Sequence, residues 1–258
     1  MKKGLSIVLV TLTVLACAAG LYLSQTVIKY NNMKNRCIHI GEHLEEYPYE
    51  TEQAPADFAE FTIKGIKFSA PQDLERQYPD ADGGLKEGIF AGSGSNSSLS
   101  VLVFDPETPT LPQGYELGKA GFFSGSVQSN MKKMGYKIPE NYYELFCLLG
   151  TIDRKDCNKF SLSQVSTFCK LAQFKEIMTP SVLGYKDGDV SYTSTQRYYR
   201  TGDKCSCIFT EQKNDSGDYK LVVEFYNNDT PDCYQDILIT GRDSKTIQQI
   251  ANTLTVSE

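Results

Sequence analysis

The sequence predicts an α+β fold in which helices pack on an antiparallel meander sheet, preceded by one N-terminal transmembrane helix. Three observations lead there. Runs of alternating apolar and polar residues, punctuated by turn residues, fill both ends of the chain beyond its first sixty residues. Helical spacing of apolar residues takes over in the middle section, about 114–180. No charged residue occurs from Gly4 through Ile28, a run as long as the roughly 20 residues that cross a bilayer. Strands, then helices, then strands and a closing helix is the order of an α+β domain rather than of a parallel sheet.

The N-terminal segment, 1–28, admits three readings. It is an uncleaved signal anchor, a cleaved secretory signal with Ala16-Cys17-Ala18 as its small-residue site, or a lipoprotein signal in which VLAC ends at a lipidated Cys17. Leu15 stands where a lipobox carries a smaller residue, and the residues after Cys17 stay apolar. All three readings leave the domain attached to or beyond a membrane. Lys2 and Lys3 precede the run while Lys29, Lys34 and Arg36 follow it, so the positive-inside rule hardly discriminates. The two-lysine start resembles an export signal, which places the protein in the cell membrane as a single-pass chain with its domain outside.

Residues 29–58 carry two prolines and six acids between Glu42 and Asp57, and read as an acidic membrane-proximal stalk. The α+β domain is expected over 59–258. FTIKGIKFSAP alternates around Lys64-Gly65 and predicts a hairpin. PQDLERQYP predicts a short helical turn, and GIFAG with SLSVLVF a second strand pair. Leu117 to Met134 predicts a helix weakened in its first half by Gly118, Gly121 and Gly125. Asn141 to Leu149 predicts a helix ended by Gly150. Ser161 and Gln164 form a capping box before a longer helix, with Leu162, Val165, Phe168, Cys169, Ala172 and Ile177 inward and Pro180 as its stop. VSYTSTQRYYR, KCSCIFTEQ, DYKLVVEFYNN and YQDILIT then read as strands. Asp243 caps a closing helix that turns Ile247, Ile250 and Leu254 inward.

The opening FTIKGIKFSAP and the ending LVVEFYNN…YQDILITGRDSKTIQQIANTL resemble the PsbP-type α/β sandwich of exported proteins. The resemblance covers about the first and last fifty residues of the domain, with the helical middle as an insertion. It implies a binding or assembly role, since domains of this group share no common active site.

A net charge of −6 and a pI near 5.1 exclude a nucleic-acid partner, because phosphate binding needs a concentrated positive field. Arg197 and Arg200 point to opposite faces of a strand and make no basic patch. Both histidines fall in the stalk, which leaves the folded domain without a Ser-His-Asp or Cys-His centre. No Walker loop or G-x-S-x-G elbow occurs, and neither Asp80-Ala-Asp82 nor Asp187-Gly-Asp189 completes a calcium loop. No catalytic residue, metal site or cofactor is expected.

The cysteines are the residues whose chemistry is open. Cys205 and Cys207 share one face of a strand, and either is a candidate partner of Cys233. Cys147 is a candidate partner of Cys157 or Cys169. Buried thiols and one to three structural disulfides both fit these six. The expected function is a membrane-anchored, extracytoplasmic binding or assembly domain with a protein partner. One alternative is a zinc-dependent hydrolase using His39, Glu42 and His43, whose H-x-x-E-H order matches an inverted zinc-protease motif but contains Gly41. Another is an inhibitor or immunity-like partner of an exported protein.

Overall fold

A computed structural model of the chain describes residues 14, 17, 19–32, 44–49, 54–77, 88–111, 113, 115, 117, 122–123, 125–182 and 192–257. The long strands run as the alternation requires. β7 (Tyr192–Thr201), β8 (Cys205–Asn214), β9 (Tyr219–Asn227) and β10 (Gln235–Gly241) pair antiparallel as consecutive neighbours. β6 (Ser100–Val103), β5 (Gly88–Gly92) and β4 (Leu74–Gln77) continue the sheet beyond β10. At the other edge lies β1 (Leu44–Glu46), which pairs parallel with β7, Leu44 opposite Arg197. The eight-stranded sheet is therefore mixed, where a purely antiparallel one was expected. Three residues of the segment read as stalk are built into it, because Leu44 is buried against the helical layer and Tyr47 against the other core.

A second sheet of three strands, in the order β11 (Thr255–Val256), β3 (Ile66–Pro71), β2 (Phe58–Ile63), covers one face of the first. The β2–β3 hairpin closes on Lys64 and Gly65, with φ of 50° and 81°. Two successive positive φ values make the primed turn that matches strand twist. Lys64 adopts this left-handed conformation while its ammonium donates to the Val103 carbonyl at 3.1 Å and pairs with Asp105 at 2.9 Å. Helix α5 (Ser244–Asn252) packs beside this small sheet, capped by the Asp243 carboxylate, which accepts from the Lys245 N–H. Ile66, Phe68, Val101, Val223, Ile239, Ile247 and Ile250 fill the core between the two layers. Burying a side chain such as Phe68 contributes about 2–3 kcal/mol.

The opposite face of the large sheet is covered by α2 (Gly125–Met134), α3 (Tyr142–Thr151) and α4 (Leu162–Val182), which share a second core with Ile208 and Tyr226. Four expectations are corrected in this chain. LERQ is not helical: Leu74 is buried and the segment pairs with β5, so sheet pairing overrides local propensity. The glycine-spoiled helix starts only at Gly125. Gly150 lies inside α3 rather than ending it, and a glycine stands there because a Cβ would sit 2.6 Å from the Leu44 Cβ. Helix α4 also runs two residues past Pro180, which, lying in the last turn, removes a single N–H. In α4, Val165, Phe168, Cys169 and Ala172 are buried as expected, while Leu162 is exposed. Half of the capping box is present, with the Ser161 N–H donating to Gln164 Oε1 at 2.7 Å.

Residues 19–32 form α1, which carries exposed Leu21, Tyr22, Leu23, Val27 and Ile28. Among the described residues no helix is long and apolar enough to cross a membrane. The expected span begins in residues outside those described.

Candidate functional site

Helix α3, the loop before it and the ends of β7, β8 and β9 enclose a cleft of about 550 Å³. Local sequence sets each wall. Asn141 caps α3 by accepting from the Glu144 N–H at 2.9 Å, which fixes where the helix starts and sets Tyr143 one turn below Cys147. Gly135, at φ 83°, turns the chain out of α2 and delivers Tyr136 and Lys137 to the rim. The floor is one row of the sheet, in which Thr201 stands opposite Ser206 and Ser206 opposite Tyr226.

The polar lining is hydrogen-bonded within the protein. Tyr143 and Thr201 share a hydrogen bond of 2.6 Å between their hydroxyls. Ser206 donates to Asn228 Oδ1 at 3.1 Å, and the Asn228 amide donates to the carbonyls of Gly202 and Asp203. Lys137 pairs with Glu144, whose other oxygen accepts from the Glu140 N–H at 2.8 Å. Burial alone would raise the Glu144 carboxyl, but the Lys137 and Glu140 hydrogen bonds hold it below the usual range. Burial pushes the Cys147 thiol up to about 12, so it stays protonated at neutral pH. A protonated thiol is a poor nucleophile. Burial likewise raises Tyr143 and Tyr136 above the ordinary phenol range.

Beneath α3 lies a buried charged group. Arg197 approaches Glu224 at 3.7 Å and donates to Thr210, while the Tyr226 hydroxyl donates to Glu224 at 3.0 Å. Asp236 stands directly opposite Glu224 on the neighbouring strand. Burial, with the Glu224 and Glu107 charges behind it, raises the Asp236 carboxyl to about 7.

The candidate thiols divide between the two cores. Cys17, Cys147, Cys205, Cys207 and Cys233 carry free thiols. Cys157 and Cys169 are buried in the helical core, with Cys147 packed against it at the cleft. Cys233 is half-buried in the β9–β10 turn and donates to the Thr230 carbonyl. Cys205 and Cys207 share the face that looks toward the small sheet. A hydrogen bond from Cys207, with the Arg200 charge behind it, lowers the Cys205 thiol to about 7, whereas burial raises Cys207. Arg200 itself donates to the carbonyls of Asn252 and Leu254 and lies over the rings of Phe209 and Tyr47. Arg197 and Arg200 thus serve opposite faces, as the strand register required. Cys17 is exposed on the N-terminal helix. His39, Glu42, His43, Asp80, Asp82, Asp187 and Asp189 lie outside the described residues. Among the described residues no group of three metal-ligating side chains comes together.

No protein-family model matches the chain. No curated protein matches it either. Among solved structures it is similar to the solution structure of cyanobacterial PsbP (CyanoP) from Synechocystis sp. PCC 6803, with 9% identity and a TM-score of 0.38, covering 79% of this chain and 94% of that one. It is also similar to the Saccharomyces cerevisiae Ran-binding protein Mog1p, with 10% identity and a TM-score of 0.33, covering 79% of this chain and 96% of that one. The likeness to PsbP seen in the opening hairpin and closing strand and helix of the sequence recurs in this comparison.

Proposed function

We propose that this protein is a membrane-tethered, extracytoplasmic binding or assembly domain that engages a protein partner through the cleft at Tyr143. The observation that carries the reading is the state of the cleft lining. Its hydroxyls and amides are tied to one another, its carboxylate is ion-paired and its thiol is held protonated. Such a surface is rigid and chemically quiet, and it presents tyrosine and amide groups, the side chains that supply contact area at low entropic cost. The volume suits a short extended segment or a loop of a partner. The tether is supported by the uncharged run that continues into α1. There the Ser24 and Thr26 hydroxyls donate back to the carbonyls of Leu21 and Tyr22.

A photo-crosslinking residue placed at Thr201 on the cleft floor, and separately at Asp215 in the β8–β9 turn, tests this in intact cells. A discrete adduct formed from Thr201 and not from Asp215 is expected. Identical patterns from the two positions, or no adduct from Thr201, would overturn the reading.

A further inference from the structure

We propose that the end of the helical layer around Lys132, Lys133, Lys137 and Lys159 is a docking surface for an anionic phospholipid bilayer. This deepens the membrane reading above and rests on it. The starting observation is a single long-range contact. The Tyr30 hydroxyl, at the C-terminal end of α1, donates to the Cys157 carbonyl at 3.3 Å. Tyr30 also packs against the helical core. Before Tyr30 the helix stands clear of the domain. Leu21, Tyr22 and Leu23 are 65%, 73% and 62% exposed, and three consecutive residues point in three directions around a helix. Val27 and Ile28 are exposed as well. A helix whose apolar side chains are exposed on several sides among the described residues fits a lipid surround, and the hydrogen bond at Tyr30 holds the 154–159 turn where that surround ends.

What gathers at that end is positive. Tyr136 donates to Asp156 at 3.4 Å and touches the Phe160 ring, so the turn that follows α2 lies beside the 154–159 turn. Exposed Lys132 and Lys133 close α2, and neither has an ion-pair partner among the described residues. Lys137 and Lys159 are 70% and 76% exposed, each pairing with one acid. Residues 125–160 carry six basic and four acidic side chains in a chain whose net charge is −6. The rest of the protein is therefore strongly negative. An anionic surface attracts this end and repels the remainder, and both effects act within a Debye length of about 8 Å. The result is one preferred orientation. Gly135, Tyr136 and Lys137 also line the cleft, so its occupant is met beside the bilayer.

The chain contains no Trp, so one introduced indole reports alone. Full-length protein carrying Ser129→Trp, on the exposed side of α2, or Asp215→Trp, at the far end of the sheet, is reconstituted into vesicles. The vesicles are phosphatidylcholine alone or with phosphatidylglycerol, each doped with lipid bearing a headgroup nitroxide. Ser129→Trp is expected to be quenched at least about twofold more in the anionic vesicles, and Asp215→Trp equally in both. Adding Lys132→Glu and Lys133→Glu is expected to abolish the difference while the protein still floats with the vesicles and keeps its circular dichroism. Flotation with equal quenching at both positions would refute the docking surface and leave the tether standing. Failure to float with either vesicle would overturn both.

Discussion

Asp236 and Glu224 face each other across neighbouring strands with Arg197 near only one of them. Like charges directly opposite in a sheet repel, and burial adds to the cost of ionising both. The Asp236 carboxyl, raised from 3.8 to about 7, keeps a proton in the folded state that the unfolded chain gives up near pH 4. Stability therefore falls as pH climbs from about 4 to about 7, because in that range unfolding releases the proton that the folded state holds. Asp236→Asn is expected to stabilise the protein by about 1–2 kcal/mol at pH 8, after allowance for partial solvent screening, and to be nearly neutral at pH 4. Urea denaturation at the two pH values checks this; an equal change at both would show that the charge is not the cause.

At the level of elements, α3 and β1 depend on one another. Gly150 brings the helix backbone against Leu44, and a Cβ there meets the Leu44 Cδ2 at 2.7 Å as well as its Cβ. Gly150→Ala gains helix propensity of about 1 kcal/mol, yet it is expected to destabilise the protein, because the clash pushes β1 off β7. Faster amide exchange at Glu45 to Tyr47, ahead of the rest of the sheet, is the signature; unchanged exchange there would contradict it. These two elements also mark the limit of what local sequence carries. The long strands β7 to β10 were legible because each is a run of seven to ten residues rich in β-branched and aromatic side chains between turn signals. So was the Asp243 cap, whose chemistry is complete within three residues. β1 was not legible, since three residues show no period, and its pairing is set by Leu44 finding space beside Gly150. The cleft was hidden for a related reason. Tyr143, Thr201, Ser206 and Asn228 come from a helix, two strands and a turn, and only the register of β7, β8 and β9 assembles them.

The molecule as a whole hangs two cores on one sheet, so neither face has a fold without the other. Phe68→Ala in the core under the small sheet and Leu145→Ala in the helical core are each expected to cost about 2–5 kcal/mol. Both are expected to lower the same single thermal transition, followed by far-ultraviolet circular dichroism and by tyrosine fluorescence. Two separated transitions, one for each variant, would show that the layers unfold independently. The parallel strand β1 adds a consequence in time. Leu44 leaves the ribosome early, but its partner Arg197 comes only after every helix of the middle section has been made. The seam between them joins residues far apart in the chain, and such pairings are slow to form. Until the seventh strand arrives, Leu44–Glu46 has nothing to bond to. Completion of the sheet is thus a late event of biosynthesis, and the first strand made is among the last to find its place.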